Sequence, residues 1–73
     1  MKEYTINLQW DPEAAVWMAT SGDMPGLALE SGSFDVLVER VRYAAPELLE
    51  LNGLEYKDIS LFFKSERHER AYA

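Results

Sequence analysis

Tyr4-Thr5-Ile6-Asn7-Leu8-Gln9-Trp10-Asp11-Pro12 is the stretch on which the fold turns. Tyr4, Ile6, Leu8 and Trp10 alternate with Thr5, Asn7 and Gln9, the period-two pattern of a strand with one face on a core and the other toward water. Asp11-Pro12 ends it, because proline brings no N–H to a ladder and Asp-Pro favours a turn. Beyond that turn, Ala15 to Ser21 predicts a second strand, antiparallel to the first through a short hairpin. It is apolar on both faces, Val16 and Met18 on one and Trp17 and Ala19 on the other, which places it inside a sheet or under a second layer. The turn cluster Gly22-Asp23-Met24-Pro25-Gly26 follows, then a short third strand over Leu27 to Glu30 that stops at Ser31-Gly32.

At Ser33 the hydrophobic period changes from two to three and four. Ser33 is a cap residue and Asp35 adds negative charge to the first turn, where the helix dipole favours it. Phe34, Leu37, Val38, Val41, Ala44, Ala45 and Leu48 form one apolar stripe. Asp35, Glu39, Arg42 and Glu47 fall on the outer side. Pro46 removes the bond to the Arg42 carbonyl and predicts a kink, not an end, since Leu49 and Leu51 carry the stripe onward. Asn52-Gly53 is a stop signal. The last strand is read over Tyr56 to Lys64, with Ile59, Leu61 and Phe63 on one face and Ser60, Phe62 and Lys64 on the other. The reading is one α+β domain over residues 1–64, followed by a polar, mobile tail over residues 65–73. Its order is β-β-β-α-β, an antiparallel-rich sheet with one helix packed on one face. The other sheet face has no covering element, yet Phe62 and one side of the second strand give it apolar groups.

Composition narrows the function. Seventy-three residues suffice for one small core, marginal without a further stabiliser. The chain has no cysteine for a disulfide, and a single histidine, His68, makes a zinc site implausible. Self-association is the remaining stabiliser, so a homo-oligomer (dimer or tetramer) is expected. The formal net charge is −6, from seven Lys and Arg against thirteen Asp and Glu. That balance argues against direct nucleic-acid binding, which needs clustered positive charge, and suits a basic protein partner. The N-terminus lacks a signal-peptide pattern and no apolar run is long enough to span a bilayer, so no membrane association and a cytoplasmic location are expected.

No constellation for catalysis emerges. His68 lies in the expected tail beside Arg67, Glu69 and Arg70, and no glycine-rich phosphate loop is present. Asp11, Glu13, Asp23 and Glu30 sit near strand ends, where acids in so acidic a chain cluster without purpose; a divalent-metal enzyme built on them is the rival from another class. No catalytic, cofactor-binding or metal-binding residue is assigned, and no cofactor is expected. The candidate interface residues are Trp17 and Phe62 as buried anchors, with Asp35, Glu39 and Glu47 as rim charges. Trp10 reads as packing.

Three segments carry a resemblance. They are Trp10-Asp11-Pro12-Glu13-Ala14-Ala15-Val16-Trp17-Met18-Ala19-Thr20-Ser21, then Met24-Pro25-Gly26-Leu27 with Glu30 and the helix entered at Ser33, then Pro46-Glu47-Leu48-Leu49-Glu50-Leu51-Asn52. Together, over roughly Tyr4 to Asn52, they resemble the HicB-like antitoxin superfamily, and more narrowly its short stand-alone branch of uncharacterised proteins. The resemblance implies a β-β-β-α-β, partial RNase H-like fold, no catalytic residues, and association as dimers or tetramers. It also implies binding to a small basic HicA-like toxin that cuts mRNA. Many HicB proteins carry a C-terminal DNA-binding segment; only about twenty residues follow Gly53 here and the last strand takes half of them, so DNA-mediated autoregulation is not expected. The alternative is an orphan oligomeric or ligand-binding regulatory domain without a toxin.

Overall fold

The alternating N-terminal segment forms the long strand around which the other elements assemble. The computed structural model describes residues 1–72, and Ala73, the end of the expected tail, lies outside the described residues. The elements are β1 (Lys2–Asp11), β2 (Val16–Thr20), β3 (Leu29–Ser31), α1 (Phe34–Leu51) and β4 (Ile59–Glu66). This is the expected β-β-β-α-β order, folded as one helix on a four-stranded mixed sheet of order β3-β2-β1-β4. β2 lies antiparallel to β1 and to β3, while β4 runs parallel to β1 with Tyr4 opposite Leu61 and Ile6 opposite Phe63. A parallel neighbour requires a crossover, which β2, β3 and α1 supply.

The core lies between the helix and one sheet face. Tyr4, Ile6 and Leu8 of β1, Ala19 of β2, and Leu37, Val41, Ala45 and Leu49 of α1 are all buried. Met24 and Leu27 join them from the β2–β3 connection. There Pro25 and Gly26 occupy the central positions of a turn closed by Leu27 N–H on Met24 O, and Gly26 takes φ +89°, the type II pattern that only glycine adopts without strain. Because Leu27 serves this turn and the core, β3 begins two residues later than the sequence pattern suggests.

Side chains finish what the backbone leaves open. Ser33 Oγ accepts a hydrogen bond from Val36 N at the start of α1. At the far end Leu54 N donates to Leu49 O and Gly53 N to Glu50 O, with Gly53 at φ +68°, the Schellman arrangement. The helix runs through Pro46 without interruption. Past the end of β2, Ser21 Oγ donates to Thr5 O (2.6 Å) and the Asp23 carboxylate accepts from Thr5 N (2.9 Å). Two side chains thus extend the β1 ladder beyond its strand partner.

Two boundaries differ from the sequence reading. The last strand starts at Ile59, not Tyr56, because Asp58 turns the chain with φ 52° while Tyr56 packs toward the core. It also runs past Lys64 to Glu66, so the ordered fold takes in the first residues assigned to the tail.

Candidate protein interface

The five candidate interface residues do not share one surface: Trp17 is on the covered sheet face, Phe62 on the open face, and Asp35, Glu39 and Glu47 on the outside of α1. In β1 and β2 the register places Leu8 opposite Ala19 and Trp10 opposite Trp17, so Trp17 shares the covered face with the core. Its ring meets Phe34 edge-on at 5.0 Å between centroids and Trp10 at 5.5 Å with a 59° tilt. Residue Arg67 closes the group, its guanidinium 4.1 Å from the Trp10 ring centroid and 5.8 Å from that of Trp17. Trp17 is committed to packing within the chain. Arg67, read as part of a mobile tail, is a capping group, held further by Glu69 at 2.7 Å.

Phe62 lies opposite Thr5, on the sheet face without a helix, and is 50% exposed. Met18 shares that face, opposite Gln9, and is 41% exposed. Val16 also lies on this face, and Asn7, Gln9, Thr20, Lys64 and Glu66 border a shallow polar depression there. Asp35, Glu39 and Glu47 are exposed on α1, across the core from Phe62. Glu39 pairs with Arg42 one turn on. Arg40, also exposed, instead reaches back to the Glu30 carbonyl (2.7 Å) and ties α1 to β3. One docking surface therefore cannot use Phe62 and the helix acids together.

A feature that sequence reading missed lies along β4. The helix buries Tyr4, Ile6 and Leu8 of β1 completely but covers the neighbouring edge strand only in part. Ile59, Leu61 and Phe63 of β4 are consequently only half-buried. With Arg42 and Pro46 they line a groove of 350 Å³ at the sheet edge. The side-chain alternation of β4 was readable; its place at an edge, only partly under the helix, was not.

The carboxylates near strand ends have structural partners. Asp11 Oδ1 accepts from Glu13 N (3.0 Å) and Ala14 N (3.4 Å), which forms the hairpin turn, and Asp23 holds Thr5. Among the described residues no three His, Cys, Asp or Glu side chains are grouped to hold a metal ion. His68 lies exposed with Nε2 3.2 Å from Glu66 Oε1. Among the described residues no helix is long and apolar enough to cross a membrane.

Comparison with known proteins adds two relatives. A family described as a domain of unknown function, DUF1902, matches residues 3–73. The crystal structure of the hypothetical protein TTHA1013 from the extremely thermophilic bacterium Thermus thermophilus is similar at 32% sequence identity and a TM-score of 0.75. That likeness covers 99% of this chain and 100% of the other. No curated protein matches.

Proposed function

The chain belongs to the DUF1902 family, and we propose that it is a HicB-like, non-enzymatic protein-binding domain: an antitoxin that neutralises a small basic HicA-like toxin by direct contact. The observation that carries this reading is the acidic outer surface of α1. Asp35, Glu39 and Glu47 stand exposed on one element of a chain whose net charge is −6. A protein that cuts mRNA must present positive charge to phosphates, and an acidic helix complements that surface. Covering it excludes the substrate and needs no chemistry from this chain. The site of action is the cytoplasm, where the toxin meets mRNA.

Of the two anchors read from the sequence, neither belongs to this surface. Trp17 is spent on Phe34 and Arg67, and Phe62 lies on the far side of the sheet. Val36 and Tyr43, 50% and 78% exposed on α1, are the apolar groups beside the acids and take the anchor role.

The experiment mixes the full chain with the product of any neighbouring gene that encodes a short basic protein. Association is followed by stopped flow across a salt series. The expected result is a tight complex whose association rate falls as salt rises, and falls again with Glu39→Lys and Glu47→Lys together. A rate indifferent to salt and to both reversals removes the electrostatic basis. No complex with any such protein removes the antitoxin reading itself.

A further inference from the structure

The end of α1 joins three parts of the fold, and one side chain makes the junction. Asn52 Nδ2 donates to Leu48 O (2.8 Å) in the last helical turn and to Pro25 O (3.3 Å) in the turn that sends Met24 and Leu27 into the core. Beyond Asn52 the chain is held by Gly53 N on Glu50 O (3.1 Å) and Leu54 N on Leu49 O (2.9 Å). The next residue is held by the Tyr4 hydroxyl, which donates to Glu55 O (2.8 Å). The left-handed φ of +68° calls for glycine after Asn52. That requirement sets an asparagine amide beside the least hindered backbone nitrogen a chain can offer. The chain's other asparagine, Asn7, precedes Leu8 within β1.

We propose that Asn52-Gly53 is a self-modification site gated by the fold: opening of the last turn of α1 releases the asparagine amide to the Gly53 nitrogen, and the product cannot rebuild the junction. In the step, Gly53 N bonds to Asn52 Cγ and the Cγ–Nδ2 bond breaks. Nδ2 leaves as ammonia with the proton that Gly53 N gives up, and a cyclic imide remains. Water then opens the imide at either carbonyl, to aspartate or to isoaspartate. In the folded chain both reacting groups are tied, the leaving group to Leu48 and Pro25 and the nucleophile to Glu50. Asn52 and Gly53 are exposed, so water reaches them once the ties open.

Both products fail at the same junction. Aspartate has no N–H to give Leu48 O or Pro25 O, and it sets a carboxylate beside those carbonyls at the helix end where negative charge is disfavoured. The preceding turn, Leu48-Leu49-Glu50-Leu51, supplies a further acid and no cation to offset it. Isoaspartate adds one carbon to the main chain just before Gly53, where Leu54 N must reach Leu49 O and Glu55 O must meet the Tyr4 hydroxyl. Leu49 and Tyr4 belong to the core, so the damage passes inward. Each opening that reacts is irreversible, and the age of the chain becomes a property of its stability. The inference rests on the end of α1 alone and stands apart from the antitoxin reading.

The test incubates the full chain and a synthetic peptide of residues 43–57 side by side in one mildly alkaline buffer. Trypsin, cleaving after Arg42 and Lys57, releases the same segment from the chain, and mass spectrometry measures the deamidated fraction of each. The folded chain should react at least about tenfold more slowly than the peptide, an opening free energy of about 1.4 kcal/mol or more, and still accumulate product. Urea below the unfolding midpoint should raise its rate toward that of the peptide. Asn52→Asp, which makes the aspartate product directly, should shift the unfolding equilibrium about tenfold or more toward the unfolded chain. Asn52→Ala, which loses the donor without gaining the charge, should shift it less. Equal rates in chain and peptide overturn the inference, because the fold then gates nothing. So does a folded chain without product once the peptide has fully reacted, or an Asn52→Asp variant whose urea midpoint matches wild type.

Discussion

Arg67→Ala tests whether the end of β4 is stapled to the aromatic cluster. The guanidinium stands 4.1 Å from the Trp10 centroid and 5.8 Å from that of Trp17, and the side chain is 44% exposed. A cation over an aromatic face contributes about 0.5–1 kcal/mol when exposed and about 2 kcal/mol when desolvated, so this half-covered site is worth about 1 kcal/mol. The loss should lower Tm by about 4–8 °C in a domain of this size. Trp10 and Trp17 are the only two tryptophans, so emission reports directly on the contact. Removing the guanidinium admits water to both rings, and the folded-state emission should move to longer wavelength. Glu69→Ala separates the ring contact from the exposed ion pair. It leaves Arg67 over the rings and should cost no more than about 0.5 kcal/mol. Arg67→Lys keeps the charge but loses the planar stack, and should fall between wild type and alanine. If Arg67→Ala matches wild type in both Tm and emission, the cluster does not hold the segment.

Three further substitutions probe the frame. Leu37→Ala, at a fully buried site in the first turn of α1, should cost about 2–5 kcal/mol by urea denaturation, enough to unfold much of a population this small in core. Ser33→Ala removes the acceptor for Val36 N and should cost about 1 kcal/mol, read as a lower urea midpoint at unchanged m-value. Gly53→Ala forces a Cβ into the left-handed region at φ +68°, where the surroundings are open. Its cost is therefore conformational alone, about 1–2 kcal/mol, and an unchanged midpoint would mean that the helix ends in another way.

The elements whose reasons are local were readable. β1 announced itself by alternation up to Asp11-Pro12, and α1 by Ser33 at one end and Asn52-Gly53 at the other, and the structure has both caps in those roles. What depended on pairing was not readable. Nothing in Tyr56-Lys57-Asp58 distinguishes strand from turn until Asp58 is seen at positive φ. Trp17 could face either side of a strand apolar on both, and only its register with Trp10 sends it to Phe34. Arg67 is an ordinary tail residue unless β4 runs parallel to β1, which brings it level with Trp10. The site suffered from the same gap: Phe62 and the helix acids look compatible in one dimension and lie back to back in three.

The parallel pairing of β1 with β4 also governs how the protein is made. β1 is made before the other strands of this domain and becomes an interior strand of the sheet, yet one of its two neighbours, β4, is made after β2, β3 and α1. At about 5–20 residues per second, the chain spends seconds with one side of β1 unpaired and the Tyr4, Ile6 and Leu8 face only partly covered. A contact that spans nearly the whole chain also closes slowly. The nascent domain is therefore most vulnerable to proteases and to sticking in the interval before β4 is delivered. Its lifetime in the cell should respond to how quickly the segment around Phe62 is delivered as well as to the strength of the finished core.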